Sequence, residues 1–260
     1  MKRTITFAAS ALALFAAACG TTAAPAGPPG MVAADYAAAL ADPARPEADR
    51  KDDEARKPAE VLAFADLRPG DTVLELEAGR GWYSDIISTA IGPNGKLIAQ
   101  YPSEFAYGDA AFKARTDAGR LKNAVIVKSH FDNLEQVATG SVDRVLWILG
   151  PHEIYYKPAN SNGLGADDKT YAEIVRVLKP GGLFIAMDHA ADPGSPPTIA
   201  QTLHRIDPSI VVSSAQSVGL QMVGKSDVLA NPSDDRTKMV FDATIRRHTD
   251  QFLFKFRKPG

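Results

Sequence analysis

The sequence predicts an α/β domain built on a mostly parallel sheet with helices on both faces. Three observations carry that prediction. Short apolar runs of strand length recur along the chain, helical patterns separate them, and turn signals such as Gly92-Pro-Asn-Gly95 and Lys179-Pro-Gly-Gly182 punctuate the series. The 260 residues are 45% hydrophobic and 23% charged, with a formal net charge of −2. That balance suits a folded domain and excludes a disordered tail or a coiled coil. It also gives no electrostatic case for nucleic acid as the main partner.

The N-terminus stands apart from the domain. Lys2-Arg3 precedes a run from Thr4 to Ala18 without a charged side chain. The run falls short of the ~20 apolar residues that span a bilayer. A basic start, a short apolar core and small residues at its end predict an export signal over residues 1–18. The run ends in Ala16-Ala17-Ala18-Cys19, and Cys19 is the only cysteine. This segment resembles a bacterial lipoprotein signal, in which Cys19 becomes the first residue and carries lipid. The expected location is the cell envelope, at the periplasmic face of the membrane. One cysteine also excludes an intramolecular disulfide and a thiolate-rich metal site. Losing Lys2 and Arg3 takes the net charge from −2 to −4.

Residues 19–45 read as a lipid-anchored tether rich in Gly, Pro and Ala, with a short helix over Ala33–Ala41. Residues 46–260 form the expected globular domain. The mixed charges of Arg50–Lys57 read as a solvated helix face. From Pro58 an apolar side of Val61, Leu62, Phe64 and Ala65 predicts a helix. Thr72–Glu77 is the first buried strand, and a helix over Trp82–Ile91 follows it. Further strands are expected at Lys96–Gln100, Ala124–Lys128, Asp143–Leu149 and Gly182–Asp188. The helical pattern Tyr171–Leu178 lies between the last two. In the tail, Leu220–Val223 and Gln251–Arg257 read as strands, the latter alternating Phe252, Phe254 and Phe256 with Leu253, Lys255 and Arg257 in the manner of a strand near a sheet edge.

Parallel sheets bind ligands beyond the carboxyl ends of their strands. The first strand feeds Glu75-Leu-Glu-Ala-Gly79-Arg-Gly81-Trp-Tyr-Ser84. Gly79 and Gly81 let the backbone turn sharply and approach a ligand. Ser84 stands where a dinucleotide fingerprint has its third glycine, and Glu75 and Glu77 would repel a pyrophosphate. Two carboxylates suit instead a ligand with positive charge and no phosphate.

Val73-Leu-Glu-Leu76, Gly79-Arg-Gly-Trp-Tyr83, Leu178-Lys-Pro-Gly-Gly182, Leu203-His-Arg-Ile-Asp207 and Thr249-Asp-Gln-Phe252 follow one another in the order of a known family. From about Arg56 to Lys258 the chain resembles a class I S-adenosylmethionine-dependent methyltransferase. It is most similar to a bacterial group of predicted methyltransferases with a Gly-x-Gly-Trp-Tyr loop. The resemblance implies a Rossmann-like, seven-stranded sheet whose last strand is antiparallel, with S-adenosylmethionine as cofactor. The methionine part would lie near Glu75, Glu77, Ala78, Gly79 and Gly81, with Tyr83 lining the pocket. The ribose would lie at the end of the second strand, at Gln100 and Tyr101. Two positions depart from the wider class: Glu77 replaces a glycine, and Gln100-Tyr101 replaces a strand end carrying an acid.

Residues after the fourth strand would face the transferred methyl group. Here they are Gly150-Pro-His-Glu-Ile-Tyr-Tyr156, and His152 is the candidate base because imidazole titrates near neutrality. Asp188 and His189 end the fifth strand and complete the catalytic candidates. His204 opens the next helical segment. The spacing of His152, His189 and His204 fits no local metal motif, so no metal ligand is expected. The expected function is methyl transfer to a small molecule or an envelope component. A non-catalytic binding lipoprotein that keeps the fold is the second reading, motivated by the two departures.

Overall fold

The structure is a computed structural model that describes Met1 and residues 36–260. The export signal, Cys19 and most of the tether lie outside the described residues. Four short helices open the chain: α1 (Ala37–Ala41), α2 (Glu47–Arg50), α3 (Asp53–Arg56) and α4 (Pro58–Phe64). Strands and helices then alternate as β1 (Thr72–Leu76), α5 (Trp82–Ile91), β2 (Lys96–Tyr101), α6 (Tyr107–Asp117), β3 (Ala124–Lys128), β4 (Val142–Ile148), α7 (Asp167–Val177) and β5 (Leu178–His189). The tail adds α8 (Ala200–Leu203), α9 (Pro208–Ser217), β6 (Gln221–Ser226) and β7 (Gln251–Arg257).

The sheet has seven strands in the order β3-β2-β1-β4-β5-β7-β6. Strands β1 to β5 pair in parallel, and β7 runs antiparallel to both β5 and β6. The order reverses beside β1, so a crevice opens between the carboxyl ends of β1 and β4. Successive strand residues enter opposite layers, as the period of two demands. Leu74, Ile98, Val145, Phe184 and Phe256 pack with Tyr171, Ile174 and Val211 on one face. Val73, Leu97, Leu146, Ile185 and Leu253 pack with Val61, Leu62, Ile86 and Ile87 on the other. Burial on both faces explains why the central strands read as apolar runs.

Two sequence expectations change, and one helix appears that the sequence did not announce. The charged stretch Arg50–Lys57 is a solvated face only in part: Arg50, Lys51, Glu54 and Lys57 are exposed, but Asp52 and Asp53 turn inward. Arg45, 2% exposed, pairs with Asp53, and Arg115 pairs with Asp49 at 2.7 Å. Arg115 and Arg120 also converge on buried Asp85 in the first turn of α5, and Arg120 reaches Asp42. This network clamps the N-terminal helices to α5 and α6. Helix α6 lacks a sequence signature because its buried side is Gly108, Phe112 and Arg115, hardly an apolar stripe. Leu203–Asp207 does not start a helix. It joins α8 to α9, with His204 at φ 51°.

Candidate active site

The loop after β1 is held from behind. Gln100, fully buried, accepts from the Glu77 backbone N–H through Oε1 at 3.1 Å and donates through Nε2 to the Ser129 carbonyl at 2.7 Å. Its own carbonyl accepts from the Ala78 N–H. Arg115 Nε donates to the Arg80 carbonyl at 3.0 Å. Glu77, Gly79 and Gly81 all take left-handed φ values, at 54°, 56° and 76°. The two glycines do different work. A Cβ on Gly81 would press on Arg115 and Phe112 at 3.0–3.3 Å, so Gly81 serves packing. A Cβ on Gly79 would meet only the Glu77 carbonyl, at 3.7 Å, so Gly79 keeps one side of the loop open.

Two carboxyl groups flank this opening. Glu75 is buried and accepts from Ser84 Oγ at 2.5 Å. Burial raises its pKa to about 8 against the weaker pull of Ser84 and the Arg115 charge. Glu77 holds its Oε2 buried without a hydrogen-bond partner, beside Gly150 at the end of β4. Burial, then the Glu153 charge, raises its pKa well above the carboxylate range.

The loop after β4 is a 3-10 turn, Pro151–Tyr155, pinned by Asp188 at the end of β5. Asp188 has no exposed surface. It accepts from the His152 N–H and the His189 N–H, each at 2.7 Å, and meets His152 Nδ1 at 2.9 Å. His152 Nε2 faces His204 Nδ1 and Glu153 Oε1, both at 3.2 Å. Burial works against a charged His152, but Asp188 and Glu153 outweigh it and hold its pKa well above the usual imidazole value. Burial likewise opposes a charged Glu153, yet His152 and His204 bring it to about 2. His189 is the opposite case: burial, then the charges of His152 and Arg205, depress its pKa. His189 keeps some exposed surface, and its Nδ1 meets Thr249 Oγ1 at 2.7 Å.

No protein-family model matches the chain. Among solved structures, a SAM-dependent methyltransferase from Aquifex aeolicus aligns with TM-score 0.56 and 20% identity, over 79% of this chain and 97% of that one. An arsenic(III) S-adenosylmethionine methyltransferase from Chlamydomonas reinhardtii aligns with TM-score 0.53 and 18% identity, over 90% and 75%. The cyclase SpnF aligns with TM-score 0.57 and 16% identity, over 82% and 81%. The fold is the Rossmann-like fold of class I methyltransferases. In sequence, the ribosomal RNA large subunit methyltransferase E of Pseudomonas fluorescens is 31% identical over 129 residues. That match covers 46% of this chain and 54% of the relative, so the chain spans about half the length of that curated protein.

Within this methyltransferase fold, the sequence candidates divide. His152, Asp188 and His189 meet in one cluster, while Glu75 lies buried in β1 and Glu77 and Gly79 lie in the loop that follows it. Ala78 and Tyr83 are taken into the core, Tyr83 with its hydroxyl donating to the Arg56 carbonyl. Gln100 is consumed in bracing the loop, and Tyr101 stacks on Phe112 with its hydroxyl donating to Asp109 at 2.7 Å. Glu104, close to the same strand end, meets His130 Nε2 at 2.9 Å. Sequence reasoning passed over Glu153 as a partner, although it directly follows His152. Thr249 stood in the Thr249-Asp-Gln-Phe252 segment, but nothing local tied it to His189, far earlier in the chain.

The raised pKa of Glu75 makes stability depend on pH. Unfolded, Glu75 releases its proton near pH 4.5; folded, it keeps it to about 8. Its burial therefore costs nothing below the unfolded value and progressively more as pH rises through the folded one. Thermal melts of Glu75→Gln should lack this alkaline loss, so the Tm gap between variant and wild type should move in favour of the variant from pH 5 to 8. A gap independent of pH would show that Glu75 is ionised in the fold.

Proposed function

We propose that the chain is an S-adenosylmethionine-dependent methyltransferase acting on a small molecule or an envelope component. The supporting observation is that buried Glu75, Glu77 and Glu153 carboxyl oxygens gather at the carboxyl ends of β1 and β4, where the strand order reverses, with Asp188 pinning the turn after β4 and Gly79 open on one side. The ionised Glu153 supplies negative charge toward the sulfonium and ammonium groups of S-adenosylmethionine, and the protonated Glu77 offers its buried Oε2 as a polar partner for the ammonium. On this reading Gly79 and Glu77 hold the methionine part. The ribose side depends on Glu104, because the Gln100 amide is spent inside the fold and the Tyr101 hydroxyl on Asp109.

The residues beyond the crevice would orient the acceptor and take its proton. His152 has both ring nitrogens engaged. His189 is partly exposed, and its Nε2 makes no hydrogen bond among the described residues, so His189 is the better placed base. Asp188 acts through the two histidines as a positioning residue. The relative from Pseudomonas fluorescens is named for ribosomal RNA, but a net charge of −2 favours a small acceptor over a polyanion.

Calorimetry of the full chain with S-adenosylmethionine and S-adenosylhomocysteine tests this reading. Both should bind, and Gly79→Val should weaken them at least tenfold, about 1.4 kcal/mol, by filling the open side of the loop. No heat at millimolar cofactor would reject the methyltransferase and leave a binding protein with this fold.

We further propose that Cys19 carries a lipid that holds the domain at the envelope membrane, with residues 20–35 in the tether. Fractionation checks this. Wild type should sediment with membranes and Cys19→Ser should not; a variant that still sediments would refute the anchor.

A further inference from the structure

The turn after β4 brings together a donor set that spacing in the sequence conceals. His152 Nε2 lies 3.2 Å from His204 Nδ1 and 3.2 Å from Glu153 Oε1, and His204 Nδ1 lies 3.8 Å from Glu153 Oε1. The side chains of His152, Glu153 and His204 are 4%, 9% and 14% exposed. Hydrogen bonding alone serves this arrangement poorly. A single proton on Nε2 cannot point at both neighbours, and Glu153 Oε2 is buried with no partner at all. A cation at the centre would satisfy all three groups together.

We propose that His152 Nε2, His204 Nδ1 and the Glu153 carboxylate form a binding site for a divalent transition-metal ion, with zinc the ion its donors suit. Zinc bonds of about 2.0–2.2 Å to nitrogen and oxygen place tetrahedral ligands about 3.3–3.5 Å apart. The three separations of 3.2, 3.2 and 3.8 Å straddle that spacing. Two imidazoles and a carboxylate leave a fourth position open for water or an anionic ligand. The outer shell is also in place. Asp188 meets His152 Nδ1 at 2.9 Å, the carboxylate–histidine arrangement that directs the other ring nitrogen at a metal. Tyr156 and Phe241 flank the His204 ring at 4.6 and 5.1 Å between centroids and fix its plane. The spacing of histidines alone suggests no metal set; the fold replaces His189 by Glu153, and the three donors then converge. The site does not rest on the cofactor reading, since binding is measured without S-adenosylmethionine.

The test is a zinc(II) titration of the untagged, metal-stripped full chain carrying Cys19→Ser, which removes its only thiol. One zinc per chain should bind, and cobalt(II) at the same site should give the intense visible absorption of a tetrahedral ion. His204→Ala, at the edge of the cluster, and Glu153→Gln should each weaken binding by about 100-fold or more. His130→Ala, which changes an exposed histidine paired with Glu104 elsewhere, should leave it unchanged. Circular dichroism confirms that the variants fold. No zinc binding, or binding insensitive to both His204→Ala and Glu153→Gln in folded protein, would overturn the site.

Discussion

The crevice depends on one buried carboxylate. Asp188 has no contact with solvent, and its desolvation is offset by three donors: two backbone N–H groups and the His152 ring. Through them the end of β5 dictates the path of the turn after β4 and the direction of the His152 imidazole. Glu153, His204 and the unpartnered Oε2 of Glu77 then take their places around that ring. Breaking a buried charged set of this kind costs about 3–5 kcal/mol, so the arrangement is fixed before any ligand arrives.

The loop after β1 is built on a different principle. Its three left-handed residues, Glu77, Gly79 and Gly81, are held by Gln100 and Arg115 from behind. Glu77 bears a side chain in a backbone region where glycine is cheaper, at a cost of about 1 kcal/mol. Its buried carboxyl group lies beside Gly150 and the histidine turn, where burial and the Glu153 charge hold a proton on it. A fold shared by methyltransferases and the cyclase SpnF does not fix the reaction.

Much of the architecture was legible in the sequence because the sheet is buried on both faces. Apolar runs of strand length placed β1 to β5, and the alternating phenylalanines marked β7 beside the edge strand β6. Helix α5 was readable from its pattern and its Gly92 stop. Helix α6 was not, because it docks through Arg115 and a glycine rather than an apolar stripe. The charged stretch before α4 misled for a related reason: Asp53 is paired with Arg45 and Asp52 with Arg247, partners that no periodic pattern shows. The site followed the same rule. His152, Asp188 and His189 were legible from their places at strand ends, whereas the Glu153–His204 contact depends on a left-handed turn between α8 and α9 that no motif announced.

The central claim is that Asp188 keeps a proton on His152 Nδ1 and so turns Nε2 toward Glu153 and His204. Long-range proton–nitrogen correlation spectra of the full chain with 15N-labelled histidine read this directly. The account predicts a protonated Nδ1 for His152 in a strong hydrogen bond that disappears in Asp188→Asn. A His152 with bare Nδ1, or one indifferent to that substitution, would contradict it.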